Sequence, residues 1–365
     1  LIEGNVTIER TREVQLEDLL GRDPVEVDLE GICSYIKGEV ILVTGAGGSI
    51  GSELCRQILN FQPQKLLLLD NCENNMYEIE LELRQKTGIP LVPLVKNVQD
   101  RSALTEIFRR YKPAVIFHAA AHKHVPLMEA NSEEAIKNNV MGTFQVAWAA
   151  HQNKAARFVL ISTDKAVNPS SVMGASKRIA EMVIQYLHTI SSTNYAVVRF
   201  GNVLGSKGSV IPLFRRQILS GGPVTVTHEK MVRYFMTIPE AVQLIIQAGA
   251  LAYGGEIFVL DMGDPVRILD LASTLIRLCG YVPYRDIDIQ ITGMRPGEKL
   301  FEELLTSEEG INATAHQRIF MAKPSHLNKT EIERLLRGFY QTPPQGLPRD
   351  SKTSVEFIRR FLPEF

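Results

Sequence analysis

The stretch Val40-Ile41-Leu42-Val43-Thr44-Gly45-Ala46-Gly47-Gly48-Ser49-Ile50-Gly51 joins an apolar strand to a glycine-rich loop that opens a helix. This is the setting in which such a loop binds a dinucleotide: one glycine permits a tight turn, the next admits a pyrophosphate, and the last allows close helix packing. The first turn of the helix also offers free N–H groups to an anion. We therefore predict a dinucleotide site with the loop residues Gly45, Gly48, Ser49, Ile50 and Gly51.

Apolar runs of strand length recur on both sides of this loop and alternate with stretches of helical period. They cover residues 40–43, 65–69, 91–95, 114–117, 157–161 and 195–199. This alternation predicts an α/β protein with a Rossmann-type, doubly wound parallel sheet. Beyond Phe200 the pattern loosens, and it predicts helices at 210–219 and 240–252 and short strands at 224–226 and 256–260.

We expect the chain to divide into four parts. They are a leader (1–38), a Rossmann domain (39–202 plus about 237–281), a smaller, discontinuous C-terminal substrate-binding lobe (about 203–236 plus 282–325), and a C-terminal tail (326–365).

The overall composition is that of a soluble globular protein, with 365 residues of which 45% are hydrophobic and 22% charged. Forty basic and 41 acidic residues leave a formal charge of -1, so no global charge attracts nucleic acid or an anionic membrane. We expect no membrane span and no signal peptide. The four cysteines form no CxxC pair or metal-type cluster, and we expect them to be reduced and structural.

The choice of cofactor depends on Asp70, which ends the second predicted strand about 20 residues after the loop. A carboxylate at this place accepts hydrogen bonds from an adenosine ribose and repels a 2′-phosphate. Asn71, Cys72 and Glu73 supply no cation to offset that repulsion. The sequence therefore favours NAD over NADP.

A second motif, Ser162-Thr163-Asp164-Lys165, follows the strand at 157–161, and Met173-Gly174-Ala175-Ser176-Lys177 comes shortly after it. A Tyr-x-x-x-Lys oxidoreductase site would have tyrosine in place of Met173, and a thioether cannot move protons. Proton transfer would then rest on Asp164 and Lys165, which suggests elimination rather than simple redox. The alternative is a structural ion pair at a strand end.

These motifs, together with His118-Ala119-Ala120-Ala121 and Asn139-Val140-Met141-Gly142-Thr143, resemble the extended short-chain dehydrogenase/reductase superfamily. From about residue 30 to about 320 the chain resembles its CapD-like nucleotide-sugar 4,6-dehydratases, which act on UDP-N-acetylglucosamine in bacterial polysaccharide and glycan synthesis. Lys96-Asn97-Val98 departs from the superfamily, which usually has an aspartate there to contact adenine, although Asn97 can accept through its amide oxygen. Met173 is shared with the subgroup that retains the C5 configuration.

The resemblance implies loss of water without net redox. Hydride leaves C4 for NAD, C5 loses a proton, the C6 hydroxyl departs, and hydride returns to C6 to give a UDP-2-acetamido-2,6-dideoxy-4-keto-hexose. It implies that Lys165 is the base at C5, Asp164 the acid at C6 and Lys177 the nicotinamide-ribose contact. Charged forms are favoured when an aspartate lies beside a lysine, which opposes these roles unless burial and the positive nicotinamide reverse it. The acceptor of the C4 hydroxyl proton stays open between Thr163, Asp164 and a water.

The resemblance also implies further contacts and partners. The cofactor would meet Asn71, Asn97, Val98, Ala119, Ala120 and Ala121, and the UDP-sugar would meet Lys123, His124, Asn202, Ser209, Val210, Arg233, Arg295 and Glu298. We expect a homo-oligomer in the cytoplasm. Larger members of the family carry membrane helices before the catalytic part, and the chain begins at Leu1, so it could be the soluble part of a membrane-anchored protein.

Two other functions remain open at this point. An NAD-dependent epimerase or reductase would explain the cofactor loop but not the Asp164-Lys165 pair, and a non-catalytic nucleotide or redox sensor would explain the missing tyrosine. The histidines 118, 122 and 124 have strand-end and loop spacing without a clear carboxylate partner, so we predict no metal site. We interpret Asn139 as an amide that bends its helix rather than as a ligand.

Overall fold

A computed structural model describes residues 27–305, 310–322, 328–341 and 344–365, which form layers of helices around one large sheet. The strands are β1 (Val40–Thr44), β2 (Lys65–Asp70), β3 (Leu91–Val95), β4 (Val115–His118), β5 (Arg157–Ile161), β6 (Asn194–Arg199), β7 (Asn202–Val203), β8 (Val224–Val226), β9 (Val232–Arg233), β10 (Phe235–Met236), β11 (Ile257–Leu260), β12 (Val266–Arg267), β13 (Ile289–Ile291), β14 (Ile311–Ala313) and β15 (Ile319–Ala322).

The α-helices are α1 (Leu29–Ile36), α2 (Ser49–Leu59), α3 (Glu73–Arg84), α4 (Arg101–Tyr111), α5 (Val125–Ala130), α6 (Ser132–Ala135), α7 (Thr143–Gln152), α8 (Val172–His188), α9 (Val210–Leu219), α10 (Ile238–Leu251), α11 (Ile268–Leu278), α12 (Lys329–Tyr340) and α13 (Ser351–Phe361). A π-helical segment covers Ile136–Gly142 and leads into α7, and a single 3₁₀ turn covers Asp164–Ala166.

The main sheet has the order β14-β15-β11-β6-β5-β4-β1-β2-β3 within the part of the chain that the structure describes. Strands β1 to β6 and β11 run parallel, whereas β15 is antiparallel to β11. The connections reverse direction between β1 and β4, and such a reversal opens a ligand crevice at the carboxyl ends of the strands. The predicted doubly wound α/β fold is therefore confirmed.

The parallel strands are buried on both faces of the sheet, which explains why they are continuous apolar runs rather than alternating ones. In β2, for example, Leu66, Leu67, Leu68 and Leu69 have no exposed surface. The six strands predicted before residue 200 agree with the observed ones to within one residue at each end. Helices α9 and α10 also lie where the sequence predicted them.

Two apolar layers enclose the sheet. One layer contains buried residues of α4, α7 and α8, such as Phe108, Phe144 and Ile179. The other contains buried residues of α1, α2, α3 and α10, such as Ile36 and Ile58. A third and separate cluster joins α9 and α11 to β8 and β13, and it forms the core of the smaller lobe.

Two of our boundary expectations were wrong. Helix α11 was assigned to the Rossmann domain, but Leu271 and Ile276 pack with Phe214 of α9 in the smaller lobe. The reverse holds for β14 and β15, which were assigned to that lobe but extend the main sheet through the antiparallel pairing of β15 with β11. A hydrophobic pattern predicts that an element has an apolar face but does not name its partner.

The ends of the chain also differ from expectation. Residues 1–26 of the expected leader lie outside the described residues. The leader was expected to extend to residue 38, but α1 packs on α10, where the Tyr35 hydroxyl donates to the Ile246 carbonyl oxygen at 2.6 Å. In the expected tail, α12 packs Phe339 against Phe144. Both segments therefore complete the Rossmann layers.

Across the described residues, none of the helices combines the length and the apolar character that crossing a bilayer requires.

Candidate active site

The dinucleotide loop has the geometry that its glycines predict. Gly45 has a φ of +67°, and a Cβ there would lie 2.7 Å from the Ala120 nitrogen at the end of β4. A Cβ at Gly51 would overlap the Gly45 carbonyl oxygen, so α2 can approach β1 only with glycine at this position. The loop therefore turns sharply and brings the N-terminus of α2 to the crevice.

A small cavity of about 120 Å³ lies beside this loop, between the carboxyl ends of β1, β2 and β4. It brings together the predicted adenosine contacts Asp70, Asn71, Asn97 and Val98. The Asp70 carboxylate accepts hydrogen bonds from the Gly47 and Cys72 amides, both at 2.9 Å, so it also fastens the loop. The Asn97 amide oxygen already accepts from the Gln99 N–H at 2.9 Å, so its amide nitrogen is the freer group.

The N-terminus of α2 suits a pyrophosphate. Among the described residues no side chain caps it, and Gly48, Ser49 and Ile50 line a larger cavity. The Lys207 N–H donates to the Ser49 hydroxyl at 3.1 Å, and the Lys207 amine donates to Asn75 at 2.9 Å, so a loop of the smaller lobe crosses the mouth of the site. Uncapped N–H groups beside a ribose-sized pocket with a carboxylate fit a dinucleotide.

The larger cavity has a volume of about 660 Å³ and lies between the carboxyl end of the sheet and the smaller lobe. It is lined by these predicted site residues: Gly45, Gly48, Ser49, Ile50, Gly51, Ala119, Ala121, Lys123, His124, Thr163, Lys165, Met173, Lys177, Asn202, Ser209, Val210, Arg233, Arg295 and Glu298. Ala120 lines the smaller cavity. Of the predicted site residues, Asp164 alone lines neither cavity.

Asp164 is fully buried behind the wall of the larger cavity. Its Oδ1 accepts from the Thr163 hydroxyl at 2.8 Å and from the Lys165 amine at 2.9 Å. Its Oδ2 is buried and has no hydrogen-bond partner within the described ranges. Asp164 was predicted to be the acid at C6, but it does not line the cavity, and its hydrogen bonds connect it to two residues that do, Thr163 and Lys165.

Lys165 lies on the cavity wall with a side chain that is 20% exposed. Its amine contacts Asn202 Oδ1 at 3.1 Å in addition to Asp164. Asn202 begins β7, which pairs with β10, so the amine is held by its own turn and by a separate strand. In this structure Asn202 positions the lysine as well as lining the cavity.

Met173 and Lys177 lie one turn apart on α8, which the Ser171 side chain caps at the Gly174 N–H. Met173 is 2% exposed and packs in the apolar layer of the sheet while it lines the cavity. The Lys177 amine donates to the Ile161 carbonyl oxygen at 2.8 Å. Burial lowers the pKa of Lys177 to about 8, against a smaller opposing effect of Glu181.

A buried ionic cluster supports the end of β5. The Glu181 carboxylate accepts from the Ser162 hydroxyl at 2.6 Å and from Arg199 at 2.7 Å, and Arg178 contacts it at 3.0 Å. Burial would raise the pKa of Glu181, but the two arginines and the serine outweigh burial and lower it. This cluster anchors the strand end from which Thr163 to Lys165 project.

The loop after β4 is held by Asn139, which lies in the π-helical segment. Its amide donates to the His122 carbonyl oxygen and to the Ser176 hydroxyl, both at 3.0 Å, and accepts from the His122 N–H at 2.8 Å. We predicted that Asn139 bends its helix rather than binding a ligand, and in the structure it lies in a π-helical segment with its amide engaged by the loop and by α8. His118 is a buried core residue whose ring nitrogens contact the Thr44 and Thr143 hydroxyls, and burial, with Lys177, lowers its pKa to about 3.

The charged residues predicted to contact the substrate already form hydrogen bonds or ion pairs within the protein. Burial lowers the pKa of Lys123, whose amine contacts Ser206 at 3.3 Å. Arg233 is 7% exposed, and its guanidinium donates to backbone carbonyl oxygens, including that of Lys299 at 2.8 Å. Arg295 and Glu298 pair with each other at 2.7 Å on the cavity wall.

Several cavity residues were missed by our sequence reasoning, and Glu302 is the charged one with contacts to two predicted site residues. Glu302 is 8% exposed and lines the larger cavity. Its Oε1 lies 3.7 Å from the Lys165 amine and 3.7 Å from Arg233 Nη2. Glu303, beside it in the chain, has a side chain that is 51% exposed. The sequence shows two adjacent glutamates, and only the fold distinguishes the buried one.

A family model described as polysaccharide biosynthesis protein matches residues 41–324. The capsular polysaccharide biosynthesis protein CapD of Staphylococcus aureus is 56% identical over 336 residues, which cover 91% of this chain and 56% of that protein. The chain therefore spans little more than half the length of this relative.

The matches to more distant relatives cover a larger share of each relative's length. A UDP-N-acetylglucosamine 4,6-dehydratase (inverting) of Campylobacter jejuni is 29% identical over 79% of this chain and 84% of that protein. A UDP-glucose 4-epimerase of Rickettsia canadensis is 33% identical over 74% of this chain and 79% of that protein.

Solved structures agree with the fold. Pen from Bacillus thuringiensis has a TM-score of 0.73 at 30% identity, covering 83% of this chain and 99% of that chain. A dTDP-glucose 4,6-dehydratase from Streptomyces venezuelae, solved with NAD bound, has a TM-score of 0.63 at 22% identity, covering 88% of this chain and 96% of that chain.

Proposed function

We propose that this chain, which belongs to the polysaccharide biosynthesis protein family, is a nucleotide-sugar 4,6-dehydratase that acts on UDP-N-acetylglucosamine. The observation that carries the proposal is the placement of the Lys165 amine on the cavity wall, hydrogen-bonded to Asp164, while Met173 occupies the place of a proton-moving tyrosine. An amine and a carboxyl suit elimination of water, which needs both a base and an acid.

NAD is the cofactor that fits the site. We propose that the Gly45-to-Gly51 loop holds its pyrophosphate, Asp70 its adenosine ribose and Lys177 its nicotinamide ribose. When bound, NAD would accept hydride from C4 of the sugar and return it to C6. The related dehydratase of known structure contains NAD, which supports this choice.

The residues around the cavity would move the protons. Thr163 takes the proton of the C4 hydroxyl and passes it to Asp164, to which it is already hydrogen-bonded at 2.8 Å. The Lys165 amine, in its unprotonated form, removes the proton from C5. Asp164 then returns its proton through Thr163 to the departing C6 hydroxyl, and Lys165 reprotonates C5. The sum of these transfers is the loss of one water, with both side chains restored.

The substrate assignment has two kinds of support. Arg233, Arg295 and Lys123 place positive charge around a cavity of about 660 Å³, as a nucleotide diphosphate sugar requires. The Campylobacter relative is named for UDP-N-acetylglucosamine, and the relative from Staphylococcus is named for capsular polysaccharide biosynthesis. The keto-sugar product would enter polysaccharide synthesis.

Mass spectrometry of the purified protein with UDP-N-acetylglucosamine and NAD tests the proposal. A product lighter by one water is the expected result. A product of unchanged mass and altered stereochemistry would instead identify an epimerase, in line with the Rickettsia relative. Binding of the nucleotide sugar without conversion would favour a non-catalytic role.

A further inference from the structure

Glu302 is a buried carboxylate with unusual surroundings. Its side chain is 5% exposed and lines the larger cavity. It accepts no hydrogen bond from any residue that the structure describes, and its ion-pair contacts are those with the Lys165 amine and Arg233 Nη2, both at 3.7 Å. Both cations belong to the proposed active site.

This arrangement contributes little to the stability of the fold. A largely buried carboxylate is destabilising unless hydrogen bonds or neighbouring charges offset it, and a buried ion pair rarely stabilises more than a packed apolar group would. Glu303 shows that the same segment tolerates a glutamate that faces outward. The inward carboxylate at Glu302 is therefore better explained by what it does to Lys165 and Arg233.

The two contacts join separate functions. Lys165 projects from the 3₁₀ turn after β5 and would remove the C5 proton, whereas Arg233 ends β9 in the smaller lobe and would face the diphosphate. The lysine amine forms hydrogen bonds with Asp164 and Asn202, and Glu302 lies 3.7 Å from it. No other carboxylate among the described residues forms an ion pair with both cations.

We propose that Glu302 is a positioning residue that fixes the Lys165 amine on the cavity wall and competes with the substrate diphosphate for Arg233. The inference rests on the proposed function, because it assigns both cations to that reaction. Removing the negative charge should free Arg233 for the diphosphate, since like charges around one cation repel each other. The same change should leave Lys165 less well held and slow the reaction.

Glu302→Gln tests this inference, with Glu303→Gln as the matched control. The control residue is adjacent in the chain and half-exposed, and its partners are Lys299 and Asn168 rather than Lys165 or Arg233. In Glu302→Gln we expect UDP to bind roughly 5-fold more tightly, as measured by calorimetry, which is a typical size for the coupling between two binding groups. We expect kcat to fall at least about 10-fold. In Glu303→Gln both values should stay within about 2-fold of the wild type, as for an exposed pair.

A purely structural role for Glu302 would lower thermal stability and weaken UDP binding together, so tighter binding with slower turnover separates the two explanations. Unchanged or weaker UDP binding in Glu302→Gln overturns the inference, provided that the wild type binds UDP. A wild type that does not bind UDP removes the proposed function and this inference with it.

Glu302→Asp keeps the inference testable should the glutamine variant fail to fold. It retains the charge but shortens the side chain, so the same oxygen would lie farther from both cations, and we expect reduced kcat with UDP binding that is tighter than in the wild type but less so than in Glu302→Gln. Wild-type kcat in this variant would show that Lys165 does not depend on the reach of Glu302.

Discussion

Asp164 and Lys165 are adjacent in the chain, yet the Asp164 carboxyl is fully buried while the Lys165 amine lies on the cavity wall, with 2.9 Å between Oδ1 and Nζ. Both residues lie in the 3₁₀ turn after β5, where one side chain is buried and the next reaches the cavity wall. In the reaction that we propose, the pair would work as an inner acid and an outer base, with Thr163 as the second link between the acid and the cavity.

Asp164→Asn removes the inner acid while it keeps the side-chain volume. We expect kcat to fall at least about 100-fold, the usual contribution of a general acid–base group, because the amide cannot store the C4 proton or return it. Steady-state kinetics with UDP-N-acetylglucosamine measures the effect. Asp270→Asn is the control, since Asp270 forms an exposed ion pair with Arg267.

A structural ion pair between Asp164 and Lys165 makes a different prediction. In that case the variant would lose thermal stability but keep its turnover. Wild-type kcat in a less stable Asp164→Asn protein would thus remove Asp164 from the proton path.

Met173→Leu tests whether the thioether has a chemical role. The side chain is 2% exposed and packs in the apolar layer of the sheet. Since volume-conserving apolar substitutions usually cost less than about 1.5 kcal/mol, we expect a small loss of stability and nearly unchanged kcat. A large fall in kcat with little change in melting temperature would contradict the view that this residue only fills space.

Lys177 should make stability depend on pH in a particular direction. Its pKa is lowered from 10.5 to about 8 in the folded protein by burial. Between these values the unfolded chain binds the proton that the folded protein has released, so the free energy of unfolding should rise with pH. Below pH 8 both states carry the proton, and the cost of burying the ammonium is fully present.

The measurement compares the wild type with Lys177→Met, without cofactor, by denaturant unfolding from pH 7 to pH 10. As the pH rises, the free energy of unfolding of the wild type should increase relative to that of Lys177→Met, by at most about 1.4 kcal/mol per pH unit. Groups that both proteins contain do not affect this difference. One of them is the buried Tyr195, whose raised pKa would by itself make the free energy of unfolding fall at high pH. Parallel curves for the two proteins would show that Lys177 does not titrate in this range.

The sequence predicted the central part of the fold because its signals are local. Apolar runs bounded by turns define β1 to β6, and the glycine spacing after Thr44 specifies one loop geometry. The pairing of β15 with β11 and the position of α11 were not predictable in this way. They depend on which distant segment covers an apolar face, and that information is not carried by periodicity.

The candidate site shows the same division. Thr163, Lys165 and Lys177 were predicted because motifs mark strand ends and helix starts, and in the structure all three line the larger cavity at one edge of the sheet. The burial of Asp164 and the inward orientation of Glu302 were not predicted, since the sequence does not show which of two adjacent charged residues faces the interior. Side-chain direction outside regular elements comes from tertiary packing.

The mass of the product formed in D₂O by the wild type and by Lys165→Ala tests the central claim most directly, after return to H₂O to remove deuterium from hydroxyl groups. We predict that the wild type yields a dehydrated product with one solvent deuterium at C5, because Lys165 exchanges its protons with solvent before it reprotonates that carbon. The Lys165→Ala protein should retain NAD and form no dehydrated product. Normal dehydration by this variant, or a wild-type product without deuterium at C5, would contradict the account.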